Sequence, residues 1–202
     1  MSGSHGRDDH HDLSPDEGRL SGSRGRHLHH GMHAAGVSCA ILTLSDTRTA
    51  DTDASGRLIE EILAREGHRV VKRSILPDDE KGLVAAVREL AARAEIAAIL
   101  INGGTGIAPR DRTAPALDEI LTRRIPGFGE LFRSLSYAEI GPAAMLSGAV
   151  AGLVGRVVVF AMPGSPAAVR LAMERLIVPE LGHIVGEAGK GLPGPAASGS
   201  GV

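Results

Sequence analysis

Tryptophan is absent from this chain of 202 residues, and four residues alone are aromatic: Phe128, Phe132, Phe160 and Tyr137. Single-stranded nucleic acid is held by stacking its bases on aromatic rings, so that class of surface is excluded. Neither charge is in excess. The 22 Lys and Arg against 24 Asp and Glu leave a formal charge of −2, which gives no electrostatic ground for a nucleic-acid partner. Cysteine is nearly absent too: Cys39 has no second cysteine for a disulfide, and in the run VSCAILTL it reads as a small buried hydrophobe. No apolar run approaches the ~18 residues of a membrane span. The N-terminal MSGSHGRDDHHDL lacks the apolar segment of a signal peptide. A cytoplasmic protein without membrane contact is expected.

The two ends lack apolar periodicity. Residues 1–36 are mainly glycine, serine, histidine and charge, and read as a disordered tail. Seven of the nine histidines fall there, with HLHHGMH at 27–33, a tract able to bind metal adventitiously but lacking any surrounding structure. Residues 188–202, ending in GLPGPAASGSGV, read as a second tail. The folded domain is expected over 37–187.

Within it, strand and helix patterns alternate. VSCAILTL (37–44), RVVKRSIL (69–76), IAAILING (96–103) and GRVVVFAMPG (155–164) are short apolar runs suited to buried strands. Helical spacing spans 55–66 with Gly67 as its stop, 79–94, 113–124 (TAPALDEILTRR), 127–135 (GFGELFRSL) and 165–176 before Pro179. This order predicts an α/β fold, a three-layer mostly parallel sheet with helices on both faces. In such folds ligands gather at the carboxyl ends of strands.

Four polar loops follow four predicted strands: SDTRTADTDASG (45–56), LPDDE (76–80), NGGTGIAPRDRT (102–113) and MPGSP (162–166). The third is neither a Walker A loop, since no Gly-Lys-Ser/Thr closes it, nor a dinucleotide fingerprint, since Pro109 stands at the third glycine position. Its glycines still suit an anion nest of backbone N–H groups with the Thr105 hydroxyl. A plain glycine turn is the alternative. Asp78 follows the second strand and Asp111 the glycine loop. If the strands are neighbours, the two carboxylates share a crevice and suit Mg²⁺ held jointly with substrate phosphates. Taken singly, Asp78 also suits helix capping and Asp111 a turn.

The runs LTLSDTRTADTDASG, LPDD, NGGTGIAPRD, GFGELFRSLSYAEIG, LSGAVAG and FAMPGSP, in this order, resemble the MoaB/MogA family of molybdenum cofactor biosynthesis. The resemblance spans about residues 38–185, and GFGELFRSLSYAEIG favours the MoaB branch. It implies the molybdopterin-binding fold and a molybdopterin adenylyltransferase, a nucleotidyltransferase joining molybdopterin to the α-phosphate of Mg-ATP and releasing pyrophosphate. It assigns Asp78 and Asp111 to Mg²⁺ and catalysis. Gly103, Gly104, Thr105 and Gly106 match the loop lining the pterin and nucleotide pocket. Ser45 and Asp46 match a serine-aspartate pair at the end of the first strand. Ser147 matches a phosphate- or pterin-contacting serine, and Pro163, Gly164 and Ser165 a turn beside the nucleotide.

Three positions depart from the family pattern. Asn102 stands where threonine is usual, and little effect is expected. Gly148 replaces an arginine that commonly follows Ser147, removing a phosphate contact. Ala161 stands for an asparagine of MogA-like members. The resemblance also implies a homo-oligomer, trimer or hexamer, with the GFGELFRSL helix as one source of its apolar face, and it names the molybdenum-inserting enzyme as a candidate partner. The rival reading is a non-catalytic, molybdopterin-binding or regulatory paralogue. Such paralogues lack an active-site carboxylate, whereas both are present here. A fragment of a longer inserting enzyme is disfavoured by the length of 202.

Overall fold

A computed structural model describes residues 36–190. The expected tails therefore lie outside the described residues, except Gly36 and Ala188–Lys190. Six strands form one sheet in the order β2-β1-β3-β6-β5-β4. β1 (Ser38–Leu44) lies between β2 (Arg69–Leu76) and β3 (Ala98–Asn102), and β3 pairs with β6 (Val157–Met162), all in parallel. β5 (Val150–Val154) returns antiparallel on β6, and the two-residue β4 (Arg123–Arg124) forms the edge.

The central strands are apolar along most of their length because both faces are covered, with Thr43 and Asn102 as buried polar exceptions near the carboxyl ends of β1 and β3. Cys39, Ile41, Leu100, Phe160 and Met162 point into one core, and Leu42, Ile99, Ile101, Val159 and Ala161 into the other, as a two-residue period requires. α1 (Ala54–Arg65), α4 (Pro126–Ile140), α5 (Pro166–Ala172) and α6 (Val178–Ala188) cover the first face. α2 (Glu80–Ala92) and α3 (Thr113–Asp118) cover the second. The expected three layers are present.

Three local expectations need correction. The helix predicted over 113–124 ends at Asp118, and its tail becomes β4. Thr122 donates to Leu153 O through both its N–H (2.8 Å) and its hydroxyl (3.0 Å), and Ile125 N–H donates to Ala151 O at 2.8 Å, so the sheet captures the segment. β5, which the sequence reading lacks, begins within LSGAVAG and runs on to Val154. Gly152 weakens the strand signal, yet a Cβ there would lie 2.5 Å from Arg123 O, so only glycine lets β4 come this close. Finally, the last helix does not stop before Pro179. A π-turn over Met173–Ile177 joins α5 to α6, with Val178 N–H donating to Met173 O. The wider turn absorbs the missing N–H and the ring of Pro179 at the start of α6.

Candidate active site

The topology brings all four polar loops to one end of four adjacent parallel strands. Beneath them lies a buried polar floor. Thr43, Asp53, Ser55 and Asn102 are fully buried. Asp53 caps α1, accepting Gly56 N–H at 2.8 Å, and also accepts the Thr43 hydroxyl at 3.0 Å. Asn102 Nδ2 donates to Thr43 Oγ1 at 2.8 Å, which links the ends of β1 and β3. Arg73 and Arg48 approach the Asp53 carboxylate at 3.6 and 3.9 Å. Gly164 O accepts from Ser55 Oγ (2.7 Å) and Arg48 Nη2 (2.8 Å), so the β6 turn is tied to the first loop. Of these residues the sequence pointed to Gly164 and Asn102, and it gave no role to Thr43, Asp53, Ser55, Arg48 or Arg73. The spacing T-x₉-D in LTLSDTRTADTD was the floor's available trace.

The glycine loop rests on this floor. Gly103 and Gly104 adopt φ of +101° and +61°, which side-chain-bearing residues rarely do. Gly103 N–H donates to Met162 O, and a Cβ at Gly103 would collide with Leu44 O. The loop carbonyls are consumed: Gly103 O by the Thr113 hydroxyl (2.9 Å), Gly104 O by Thr113 N–H (3.0 Å) and Thr105 O by Gly148 N–H (2.7 Å). The amides of Gly104, Thr105 and Gly106 meet no acceptor among the described residues. Carbonyls turned inward and amides left over are what an anion nest requires. The Thr105 side chain, by contrast, is buried.

Against this loop stand the carboxylates. A cavity of about 310 Å³ has Ser45, Asp46, Asp78, Gly103, Gly104 and Asp111 on its wall, with Arg48, Arg110 and Gly164 also among its lining. Asp79, not Asp78, caps α2, accepting Gly82 N–H at 2.6 Å. Asp78 is thereby free of the capping role open to it from sequence. Its N–H donates to Asp46 Oδ1 at 3.0 Å. Its own Oδ1 is shut off from solvent with no hydrogen-bond partner. Burial raises the Asp78 pKa above the usual carboxylate value, and the nearby Asp46 and Asp111 charges add to this while Arg110 opposes it. Asp111 does serve a turn, accepting Ala108 N–H through Oδ2 at 2.9 Å. A Cβ on Gly106 would meet that same oxygen at 2.5 Å, so the glycine makes room for the carboxylate. A second groove, of about 780 Å³, shares Asp78 and Arg110 and runs along Lys81, Arg88 and Arg112.

Other assigned residues stand apart. Ser165 caps α5, accepting Ala168 N–H at 3.3 Å, and neither it nor Pro163 lines the cavity. Ser147 is also off the cavity wall, and its carbonyl accepts from Arg133 Nη1 at 3.3 Å. Its segment touches the site through the Gly148–Thr105 bond. A Cβ at Gly148 would come within 2.6 Å of Thr105 O, so the glycine sets how closely this segment approaches the loop. Asn102 is no loop residue: it lies in the core, with its Oδ1 unpartnered.

Comparison with known proteins gives the family and the fold. The model of the probable molybdopterin binding domain family matches residues 40–183. Molybdenum cofactor biosynthesis protein B of Bacillus cereus is 52% identical over 152 residues, covering 75% of this chain and 90% of the relative. The Bacillus anthracis protein of the same name is 53% identical over the same span. A crystal structure of a molybdenum cofactor biosynthesis protein B, 51% identical, superposes with a TM-score of 0.74 over 76% of this chain and 96% of that one. That of the tungsten cofactor synthesizing protein MoaB from Pyrococcus furiosus, 35% identical, gives 0.68 over 76% and 97%. The chain therefore belongs to the molybdopterin binding domain family, in its molybdenum cofactor biosynthesis protein B branch.

Proposed function

We propose that this protein acts in molybdenum cofactor biosynthesis as a molybdopterin adenylyltransferase. The observation that carries the reading is the cavity joining Gly104, whose amide has no acceptor among the described residues, to the Asp78 and Asp111 carboxylates; Thr105 and Gly106 follow in the loop but do not line it. An oxygen of the molybdopterin terminal phosphate attacks the α-phosphorus of ATP. The bond from that phosphorus to the β-phosphate oxygen breaks, and pyrophosphate leaves with the electron pair. Such transfers ask a protein for alignment and charge stabilisation more than for covalent chemistry. The Gly104 amide supplies a fixed donor for a phosphate oxygen without reorganisation. The two openings meeting at Asp78 and Arg110 suit a reaction between two bulky substrates.

Asp78 and Asp111 would hold the Mg²⁺ that arrives with ATP, and that ion neutralises phosphate charge when bound. The residues fit it. Asp78 Oδ1 is orphaned, and three carboxylates face two arginines in the cavity, so the site is short of positive charge. Among the described residues no trio of His, Cys, Asp or Glu forms a metal cage, so substrate phosphates and water must complete the shell. A homo-oligomer fits the surface: Leu131, Tyr137, Ile140, Met145 and Leu146, on α4 and the turn after it, are 49–73% exposed. Phe128 and Phe132 of the same helix belong to the core instead. No described helix is long and apolar enough to cross a membrane, and a cytoplasmic site of action is proposed with the rest.

The test is incubation of the protein with molybdopterin, Mg²⁺ and ATP, with Asp111→Asn beside it. Adenylylated molybdopterin and pyrophosphate from the wild type alone support the transfer. Tight molybdopterin binding by both proteins without product would instead identify a binding paralogue.

A further inference from the structure

Arg48 leaves the first loop two residues after Asp46 and reaches across to the β6 turn. Its N–H is held by Ser45 Oγ at 3.2 Å, and its Nη2 donates to Gly164 O at 2.8 Å. Beneath it, Nη1 stands 3.9 Å from Asp53 Oδ1, outside hydrogen-bond reach. Asp53 is already supplied by Gly56 N–H and the Thr43 hydroxyl. The carboxylate thus orients the guanidinium without consuming its donors. Nη1 and Nε meet no acceptor among the described residues, and the side chain, 30% exposed, lines the 310 Å³ cavity.

An arginine pinned at one nitrogen, with the rest of its planar fork open to a polar cavity, is a preorganised oxyanion receptor. The fork matches the geometry of a phosphate, and little side-chain freedom is left to lose on binding. The charges around it favour such a receptor. A polyphosphate entering the cavity meets Asp46, Asp78 and Asp111, and Arg48 and Arg110 are the two guanidiniums on its wall. Arg110 belongs to an exposed stretch of loop, whereas Arg48 is anchored to the floor.

We propose that Arg48 binds a polyphosphate oxygen of the nucleotide, setting the site's preference for a phosphorylated co-substrate. This rests on the adenylyl-transfer reading. The test is calorimetric titration of the full chain with inorganic pyrophosphate, with and without Mg²⁺, for wild type, Arg48→Met and Arg48→Lys. The product assay runs on the same preparations. Losing a charge-assisted contact should weaken pyrophosphate binding about tenfold or more in Arg48→Met, and lysine should restore part of it. Unchanged affinity in folded Arg48→Met overturns the assignment. If that variant does not fold, Arg48→Lys decides, since losing the fork must still weaken binding and unchanged affinity again overturns it. A wild type that forms product yet does not bind pyrophosphate sinks the role of Arg48 and leaves the transfer standing. A wild type that binds pyrophosphate through Arg48 without forming product supports Arg48 and sinks the transfer.

Discussion

Asp53 and Asp78 both sit just beyond the carboxyl ends of strands, and their surroundings are opposite. Asp53 is fully buried, accepts two hydrogen bonds and has two arginines within 4 Å. Asp78 is half-buried, has one oxygen with no partner, and has its pKa raised by burial and by neighbouring carboxylates. A satisfied buried charge holds structure in place, because removing it strands its partners. An unsatisfied one, kept beside like charges at the wall of a cavity, costs stability and persists where a ligand will complete it. On the proposed function the floor is scaffold and the rim does the chemistry, both at the same end of the parallel strands.

The sharpest way to break this division is at the rim. Asp111→Asn and Asp78→Asn should each lower turnover by about 10²–10³, the usual cost of one preorganised electrostatic group. Neither should lower the urea midpoint, and Asp78→Asn should hold or raise it, since a carboxylate repelled by Asp46 and Asp111 is gone. Normal turnover in both would remove them from the chemistry. The floor should behave in reverse. Asp53→Ala loses the α1 cap and the Thr43 bond, an expected cost of about 2 kcal/mol. Urea unfolding checks it, and a midpoint equal to wild type would show the floor is not scaffold.

Ser165 sharpens the boundary between the two. The resemblance places it beside the nucleotide, while the structure makes it the cap of α5. Ser165→Ala should therefore cost about 1 kcal/mol of stability and leave turnover intact. A variant of normal stability with reduced turnover would move Ser165 to the rim.

The same division explains what was legible in the sequence. The rim announces itself locally: NGGTG and the aspartates of LPDD and PRD are abrupt polar breaks after apolar strands, and the strand order brings them together. The floor does not. Arg48 meets Gly164 across 116 residues and Asn102 meets Thr43 across 59, and no periodicity encodes such pairs. Asp53 looks like one more loop carboxylate until Thr43 is seen beneath it. The antiparallel edge was missed for a related reason. β5 carries a glycine and β4 is two arginines, and neither looks like a strand until Thr122 and Ile125 bond to their neighbours. The central parallel strands, apolar on both faces, needed no partner to be recognised.

The smallest expected effect lies at the opposite end of the sheet, where His68 supplies a satisfied group that titrates. Its Nδ1 accepts Val37 N–H at 3.3 Å, which requires the ring nitrogen to be unprotonated. Burial lowers its pKa from the ordinary 6.5, and the charge of Glu66 opposes this. With the folded pKa below the unfolded one, the unfolded chain takes up a proton first as pH falls. The contribution of His68 is therefore fully present above about 6.5, declines as pH drops below that value, and levels off beneath the folded pKa. Urea midpoints of wild type and His68→Gln, compared at pH 7.5 and pH 5.5, isolate the effect, because every other titrating group is common to both proteins. The wild-type advantage should shrink at the lower pH. Parallel profiles would mean that His68 is as indifferent to its surroundings as an exposed histidine, and that the Val37 contact holds nothing.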